Sequence, residues 1–451
     1  MRSILIKQPT IINEGRSFIA DVLIVNGQIM QIGKIAQSAE YNIIDATGMY
    51  LLPGVIDTHV HFREPGLTYK GDICSESKAA VAGGVTSFFD MPNSVPNAVT
   101  VEEILNKIKL GSQRSLANYG FYFGATSTNR DLIELALEHG ACGITDDGLY
   151  FTNTESLLVE QPELLKYILN NTTAVVSIHS EFEKVVMTNL NNALHTFGNN
   201  IPVSAHSNIR SEAACVSATE LALKIARETT GRLHVLHLST GKEAQMFESG
   251  RDIKNKRITS EVCVHHLWFS EEDYEKLGAK IKWNPSIKAA TDKEQLLKAL
   301  IDDRIDIVST DHAPHLLAEK ERNYSESPGG APMIQHSLLV MLEFVKQGKI
   351  SIEKVVEKMC HNPALLFDIS KRGFIREGYH ADIVIIDPNC KYVVNKSNVL
   401  YKCGWSPLEN YQFSTSVFCT IVNGQIAYIN GCVNEKNKGQ QLLFNRAIYK
   451  S

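Results

Sequence analysis

Over roughly 300 residues of its middle the chain repeats one unit: a short apolar run that stops on polar residues, then a stretch with apolar residues at helical spacing. Val55 to His59, Val85 to Phe89, Gly120 to Gly124, Ala174 to His179, Leu233 to Leu238, Glu261 to His265 and Ile305 to Thr310 are the predicted strands. Leu157 to Leu169 and Glu212 to Glu228 are two of the predicted helical stretches between them. Strands that read as continuous apolar runs are buried on both faces, as in a parallel sheet flanked by helices. At this length a closed (β/α)8 TIM-type barrel is the commonest single-domain solution. The alternative, an open doubly wound sheet, lacks the G-x-G-x-x-G that a dinucleotide fold would place after its first strand.

The chain ends read differently. Val22-Leu23-Ile24-Val25 runs into Asn26-Gly27, a strong hairpin signal, and Ile24-Val25-Asn26-Gly27-Gln28-Ile29 returns as Ile421-Val422-Asn423-Gly424-Gln425-Ile426. With the strand-like Ala381-Asp382-Ile383-Val384-Ile385-Ile386, this predicts one small β-sandwich domain built from both termini. The expected organisation is 1–52 and 366–451 for the β domain and 53–365 for the barrel.

Composition narrows the function. A formal net charge of -5 over 451 residues offers no basic face for nucleic acid, so the expected partner is a small molecule. The nine cysteines are scattered with no C-x-x-C among them, which reads as reduced thiols in a cytoplasmic protein. Met1 to Thr10 has neither the pattern of a signal peptide nor a membrane-spanning run, so no membrane role is expected.

The chemistry gathers where the apolar runs stop. In Asp57-Thr58-His59-Val60-His61 the two histidines are two apart, hence on one side of a strand and able to reach one ion. H-x-H alone is a weak signal; its weight comes from its place at the C-terminal end of a barrel strand, where barrel active sites are built. His179 ends another run. His234 and His237 are three apart and face opposite sides, so only His237, nearer the strand end, is expected to look into the barrel mouth, leaving His234 as a hydrogen-bonded histidine. Asp311 closes the last run, and Asp146-Asp147 precede Gly148 in a predicted turn. Five or six N/O ligands exceed what one tetrahedral zinc needs, whereas two ions sharing a carboxylate would use them all. Tandem His265-His266 carries no distinguishing signal and is left outside the set.

In His59-Val60-His61-Phe62-Arg63-Glu64-Pro65-Gly66, Asp90-Met91-Pro92-Asn93-Ser94 and Thr310-Asp311-His312-Ala313-Pro314-His315, the chain resembles the dihydroorotases of the amidohydrolase superfamily along nearly its whole length. The resemblance implies interconversion of N-carbamoyl-L-aspartate and L-dihydroorotate in pyrimidine synthesis. It also implies two zinc ions per subunit, with His59, His61 and Asp311 on one and His179 and His237 on the other. Many relatives bridge the ions with a carboxylated lysine; here the matching stretch is Ile144-Thr145-Asp146-Asp147, similar to a bacterial branch bridged by aspartate. The implied bridge is Asp147, with Asp146 as the alternative. A water activated between the ions would attack the ring amide, with Asp311 as acid/base. Arg63, Asn93 and His315 would hold the substrate carboxylate, with Arg63 suited to a two-point grip. His61 and Asn284 would lie at the ring, and Gly329 and Gly330 would offer backbone contacts. The chain departs from the usual pattern at Ser286-Ile287-Lys288, where proline-leucine-arginine is more common.

Other readings stay open on sequence. Allantoinase or another cyclic amidohydrolase would use the same metals on a different ring, and a non-catalytic scaffold relative would be expected to have lost ligands that are present here. The stretch from Thr310 to Pro328 is long for a barrel loop and is a candidate lid over the substrate. Barrel relatives are commonly homodimers.

Overall fold

A computed structural model describes residues 3–147, 157–250 and 252–446. Among them, eight parallel strands stand in chain order: Val55–Val60, Val85–Asp90, Asn118–Phe121 running on into Phe123–Gly124, Ile144–Thr145, Val175–Ile178, Arg232–Val235, Ile258–Cys263 and Ile307–Ser309. The ring closes where Val60 bridges His312 in parallel and the His61 amide donates to the His312 carbonyl at 2.8 Å. This is the predicted barrel with helices outside. Every residue of Val55–Val60 and Val85–Asp90 is buried, because these strands meet packed side chains inside and helices outside.

The helices start where their sequences supply caps. Asp72 accepts from the Ser75 amide ahead of Ile73–Ala82, and Thr100 accepts from the Glu103 amide ahead of Val101–Arg114. Glu212–Arg227 turns Ala214, Ala218, Ala222 and Ile225 inward, as its period requires.

Two strand assignments differ from the sequence reading. Ile144–Thr145, absent from the predicted strands, is the fourth barrel strand; with two residues between Gly143 and Asp146 it is too short to show a period, yet it pairs with strands on both sides. The run expected over Glu261 to His265 begins earlier, at Ile258, and ends at Cys263. Val264–Trp268 is a short helix, so His265 and His266 leave the strand line. Gly148 lies outside the described residues.

Both chain ends enter one β unit. Gln28–Gly33, Asp21–Val25, Ile4–Lys7 and Asn42–Asp45 form a four-stranded sheet. A seven-stranded sheet runs Cys432–Val433, Gln425–Ile429, Ser416–Val422, Ile383–Asp387, Tyr50–Pro53, Thr10–Asn13, Arg16–Ile19. Ile4, Ile6, Val22 and Ile24 of the first pack with Ile11, Leu51, Ile383, Ile385 and Ile421 of the second in one core. The repeated Asn-Gly turns have φ of 49° and 83° at Asn26 and Gly27 and 51° and 73° at Asn423 and Gly424, the left-handed pairs that two-residue hairpins need. They also touch: a Cβ on Gly424 would lie 2.5 Å from the Gly27 Cα. None of the nine cysteines is in a disulfide. Among the described residues no helix is long and apolar enough to cross a membrane.

Candidate active site

The histidines and carboxylates singled out in the sequence converge at the C-terminal ends of the barrel strands. His59, His61 and Asp311 bring ligand atoms within 4.8 Å of one another, as do His59, His179 and His237. The His59 ring centroid is 5.5 Å from that of His61 and 5.3 Å from that of His237, which is 4.9 Å from that of His179. His237 and Asp311 hold left-handed backbones with φ of 31° and 45°, conformations an L side chain rarely adopts and that the surrounding structure must hold in place.

The hydrogen bonds fix which way each ring looks. His59 Nδ1 donates to Glu261 Oε1 at 2.7 Å, His61 Nδ1 to Asn93 Oδ1 at 2.9 Å and His179 Nδ1 to Asp146 Oδ1 at 2.8 Å. In each neutral ring the remaining lone pair is then on Nε2. His61 Nε2 lies 2.9 Å and His59 Nε2 3.5 Å from Asp311 Oδ1, and His179 Nε2 lies 3.6 Å from Asp147 Oδ1. Lone pairs facing carboxylate oxygens at these distances repel unless a cation or a proton lies between them. His59 Nε2, His237 Nδ1 and both Asp147 oxygens are buried without a hydrogen-bond partner. Such a donor set fits divalent metal ions, with the outer ring nitrogens held in the manner of carboxylate–histidine–metal arrangements.

The carboxylates around these rings favour positive charge at the centre of the cluster. Burial pushes the His59 imidazole down, but Glu261, Asp311 and Asp147 overcome it and hold its pKa up at about 9. Burial likewise opposes ionisation of Asp311, and His61 and His59 more than offset it, so this carboxyl stays below the usual range. His237 is held well below the ordinary histidine value by burial and by His179 and His59, which leaves it neutral and able to offer a lone pair.

Asp146 and Asp147 part company. Asp146 is spoken for: its oxygens accept from the His179 ring, the His179 amide at 3.1 Å and the Leu158 amide at 3.2 Å. Asp147 turns Oδ2 to within 3.6 Å of His61 Nδ1 and Oδ1 toward His179, so its carboxylate spans the two histidine groups.

Beside this cluster is a cavity of about 330 Å³ lined by His61, Arg63, Asp147, His179, His237, Asn284, Asp311, His315, Gly329 and Gly330, all expected at the site, together with Lys70 and Glu181. Arg63 is buried, with Nε donating to the Pro314 carbonyl at 3.1 Å and Nη2 to His315 Nε2 at 3.0 Å. Asn93 is not among the lining residues; its carbonyl is engaged by His61. A Cβ on Gly329 would lie 2.8 Å from Asn284 Nδ2, so the loop's backbone approaches that amide as only glycine allows. His234 is occupied outside the site, with Nδ1 2.9 Å from Thr259 Oγ1.

Sequence reasoning missed Glu261, Lys70 and the Asp146 contact. The signal for Glu261 was a lone carboxylate inside an otherwise uncharged buried strand; Lys70 follows the Arg63-Glu64-Pro65-Gly66 run with no pattern of its own.

The candidate lid is tied down. Within it, Leu317–Lys320 is a helical turn, and Lys320 Nζ donates to the Pro328, Gly330 and Lys282 carbonyls at 2.6, 2.8 and 3.2 Å. Lys282 Nζ in turn donates to the Tyr324 and Ser327 carbonyls at 2.7 and 2.5 Å.

Residues 50–427 match the amidohydrolase family, and the chain belongs to it. It is 31% identical over 429 residues to a dihydroorotase of Methanosarcina acetivorans, covering 92% of this chain and 90% of that protein. It is equally 31% identical, over 433 residues, to an allantoinase of Bacillus velezensis, covering 95% and 94%. The solved L-hydantoinase (dihydropyrimidinase) from Arthrobacter aurescens superposes with a TM-score of 0.88 at 25% identity, covering 96% of this chain and 98% of that one. These relatives support a cyclic amidohydrolase.

Proposed function

We propose that the protein is a zinc-dependent dihydroorotase, interconverting L-dihydroorotate and N-carbamoyl-L-aspartate in de novo pyrimidine (UMP) synthesis. The observation that carries the reading is the Arg63–His315 pair on the wall of the cavity that also holds Asp311. A buried guanidinium facing a substrate cavity calls for an anion, and a ring bearing a carboxylate supplies one where an uncharged cyclic amide does not.

In this reading His59, His61 and Asp311 would hold one zinc and His179 and His237 a second, and Asp147 would be the carboxylate available to both. Two such ions would supply Lewis acidity to the amide carbonyl and would lower the pKa of a water enough to make it a nucleophile near neutral pH. Asp311 takes the proton from the attacking water and returns it to the leaving ring nitrogen, and in the reverse direction it removes a proton from the carbamoyl nitrogen. Arg63 and His315 grip the carboxylate, and Asn93, behind the cavity wall, holds His61 through its carbonyl. Asn284 contacts the ring, and the backbone of Gly329 and Gly330 lies against the substrate. A cytoplasmic homodimer is the expected form.

The Bacillus velezensis relative favours a second reading, allantoinase. One experiment tests both: turnover of L-dihydroorotate, allantoin and dihydrouracil by zinc-loaded protein, with Asp311→Asn alongside. Turnover of dihydroorotate alone, abolished by the substitution, is expected. Allantoin hydrolysis without dihydroorotate turnover selects the second reading, and no turnover despite bound metal points to a scaffold.

A further inference from the structure

Lys70 stands on the cavity wall with Arg63 and His315. Its amide closes a turn onto the Leu67 carbonyl at 3.0 Å, and its side chain runs inward. Nζ lies 2.9 Å from His315 Nδ1 and 3.2 Å from Glu319 Oε1. On the far side of the same imidazole Arg63 Nη2 lies 3.0 Å from Nε2.

This arrangement has a surplus of donors. A neutral imidazole offers one N–H and one lone pair, while guanidinium and ammonium groups can only donate. His315 is neutral, since burial and the neighbouring Arg63 hold it well below the ordinary histidine value. If Nε2 accepts from Arg63, the Nδ1 hydrogen points at the ammonium of Lys70; in the other tautomer the clash moves to Arg63. Glu319 meets Lys70 through Oε1, and its Oε2, which accepts from the Leu316 amide at 2.9 Å, stands 3.7 Å from His315 Nδ1. Lys70 and Arg63 thus bracket one neutral ring on the cavity wall with Glu319 as the carboxylate in ion-pair contact with Lys70, a setting in which a substrate carboxylate gains charge-assisted hydrogen bonds.

We infer that Lys70 is a second cationic arm of the carboxylate clamp, a specificity-determining residue that works with Arg63 across the His315 ring to select cyclic amides bearing a carboxylate. This rests on the dihydroorotase reading for the identity of the substrate, not for the chemistry of the clamp. The rival role for Lys70, a purely structural tie to Glu319, predicts a loss of stability with no change in substrate preference.

The test is steady-state kinetics of zinc-loaded Lys70→Met and Lys70→Arg on L-dihydroorotate. The clamp predicts that Lys70→Met raises KM about tenfold, the scale of one lost charge-assisted hydrogen bond, with kcat within about twofold and Lys70→Arg restoring most of the loss. A KM within about twofold of the parent, or a fall in kcat at constant KM, overturns it. If the parent protein does not turn over dihydroorotate, calorimetry with hydantoin-5-acetate and hydantoin reads Lys70 separately. A preference for the acetate that disappears in Lys70→Met upholds the clamp and shifts the fault to the substrate assignment; a preference unchanged by the substitution, or none in the parent, removes the clamp.

Discussion

Glu261 Oε1 stands 2.7 Å from His59 Nδ1, both side chains fully buried, and the same oxygen accepts from the His237 amide at 3.3 Å. One carboxylate in the middle of the Ile258–Cys263 strand thereby orients two of the proposed metal ligands from behind. Glu261→Gln keeps the shape and removes the charge that makes His59 a better donor. Zinc affinity is expected to fall about 10- to 100-fold, the usual cost of losing such a partner, read by competition with a chromophoric chelator. Unaltered affinity would take Glu261 out of the account.

The two adjacent aspartates are expected to fail differently. Asp147→Asn removes the carboxylate that spans the histidine groups, and metal analysis should drop from two zinc ions per chain toward one. Asp146→Asn leaves that carboxylate and loosens His179, so zinc content at saturation should stay at two while affinity falls. The reverse pattern would make Asp146 the bridge.

The lysine ties predict a held loop. Lys320→Met removes three carbonyl contacts from the segment that ends at Gly330. Faster proteolysis between residues 316 and 328 is expected, with a raised KM and unchanged metal content. Equal cleavage rates with and without the substitution would show that the ties are idle.

Lys282 adds a pH signature. Burial and Arg210 hold its pKa down at about 8, against 10.5 for the free side chain. Below pH 8 the group is charged in both the folded and the unfolded chain, and the full cost of burying the charge is present. Between 8 and 10.5 the unfolded chain binds the proton more tightly, so this residue's contribution to stability rises with pH, by about 3 kcal/mol over the window. Denaturant unfolding of the parent and Lys282→Met on either side of that window should show the parent gaining on the variant. A constant difference would contradict it.

The contact between the two Asn-Gly turns is open to a matched pair of substitutions. Gly424→Ala meets both a φ of +73° and the Gly27 Cα, whereas Gly431→Ala meets a φ of +81° with open space around it. Both should lose about 1 kcal/mol to backbone strain, and Gly424→Ala at least about 1 kcal/mol more to the clash, measured by urea unfolding. Equal losses would mean that the turns part at no cost.

The sequence alone disclosed the barrel, because eight-fold repetition of buried strand and amphipathic helix is written in local hydrophobic period, and seven of the strands were long enough to show it. It also disclosed His59, His61, His179, His237 and Asp311 as a group, because each sits where an apolar run stops. The fourth strand escaped, since Ile144–Thr145 is defined only by the partners on either side of it.

The roles of Asp146 and Asp147 were left open for a related reason: both lie past the strand end, where no period dictates which side a residue faces. Asp146 is drawn to His179 and Leu158, 33 and 12 residues away, and that leaves Asp147 to face the centre. Glu261 meets His59 across 202 residues, and Lys70 meets His315 across 245. What the sequence determined was therefore the fold and the stock of candidate metal-binding groups, through patterns that each segment carries by itself. Only the tertiary structure decided which nitrogen each histidine presents, which carboxylate stays unpartnered and which cation joins the cavity, because those depend on hydrogen bonds between segments that meet only when the barrel closes.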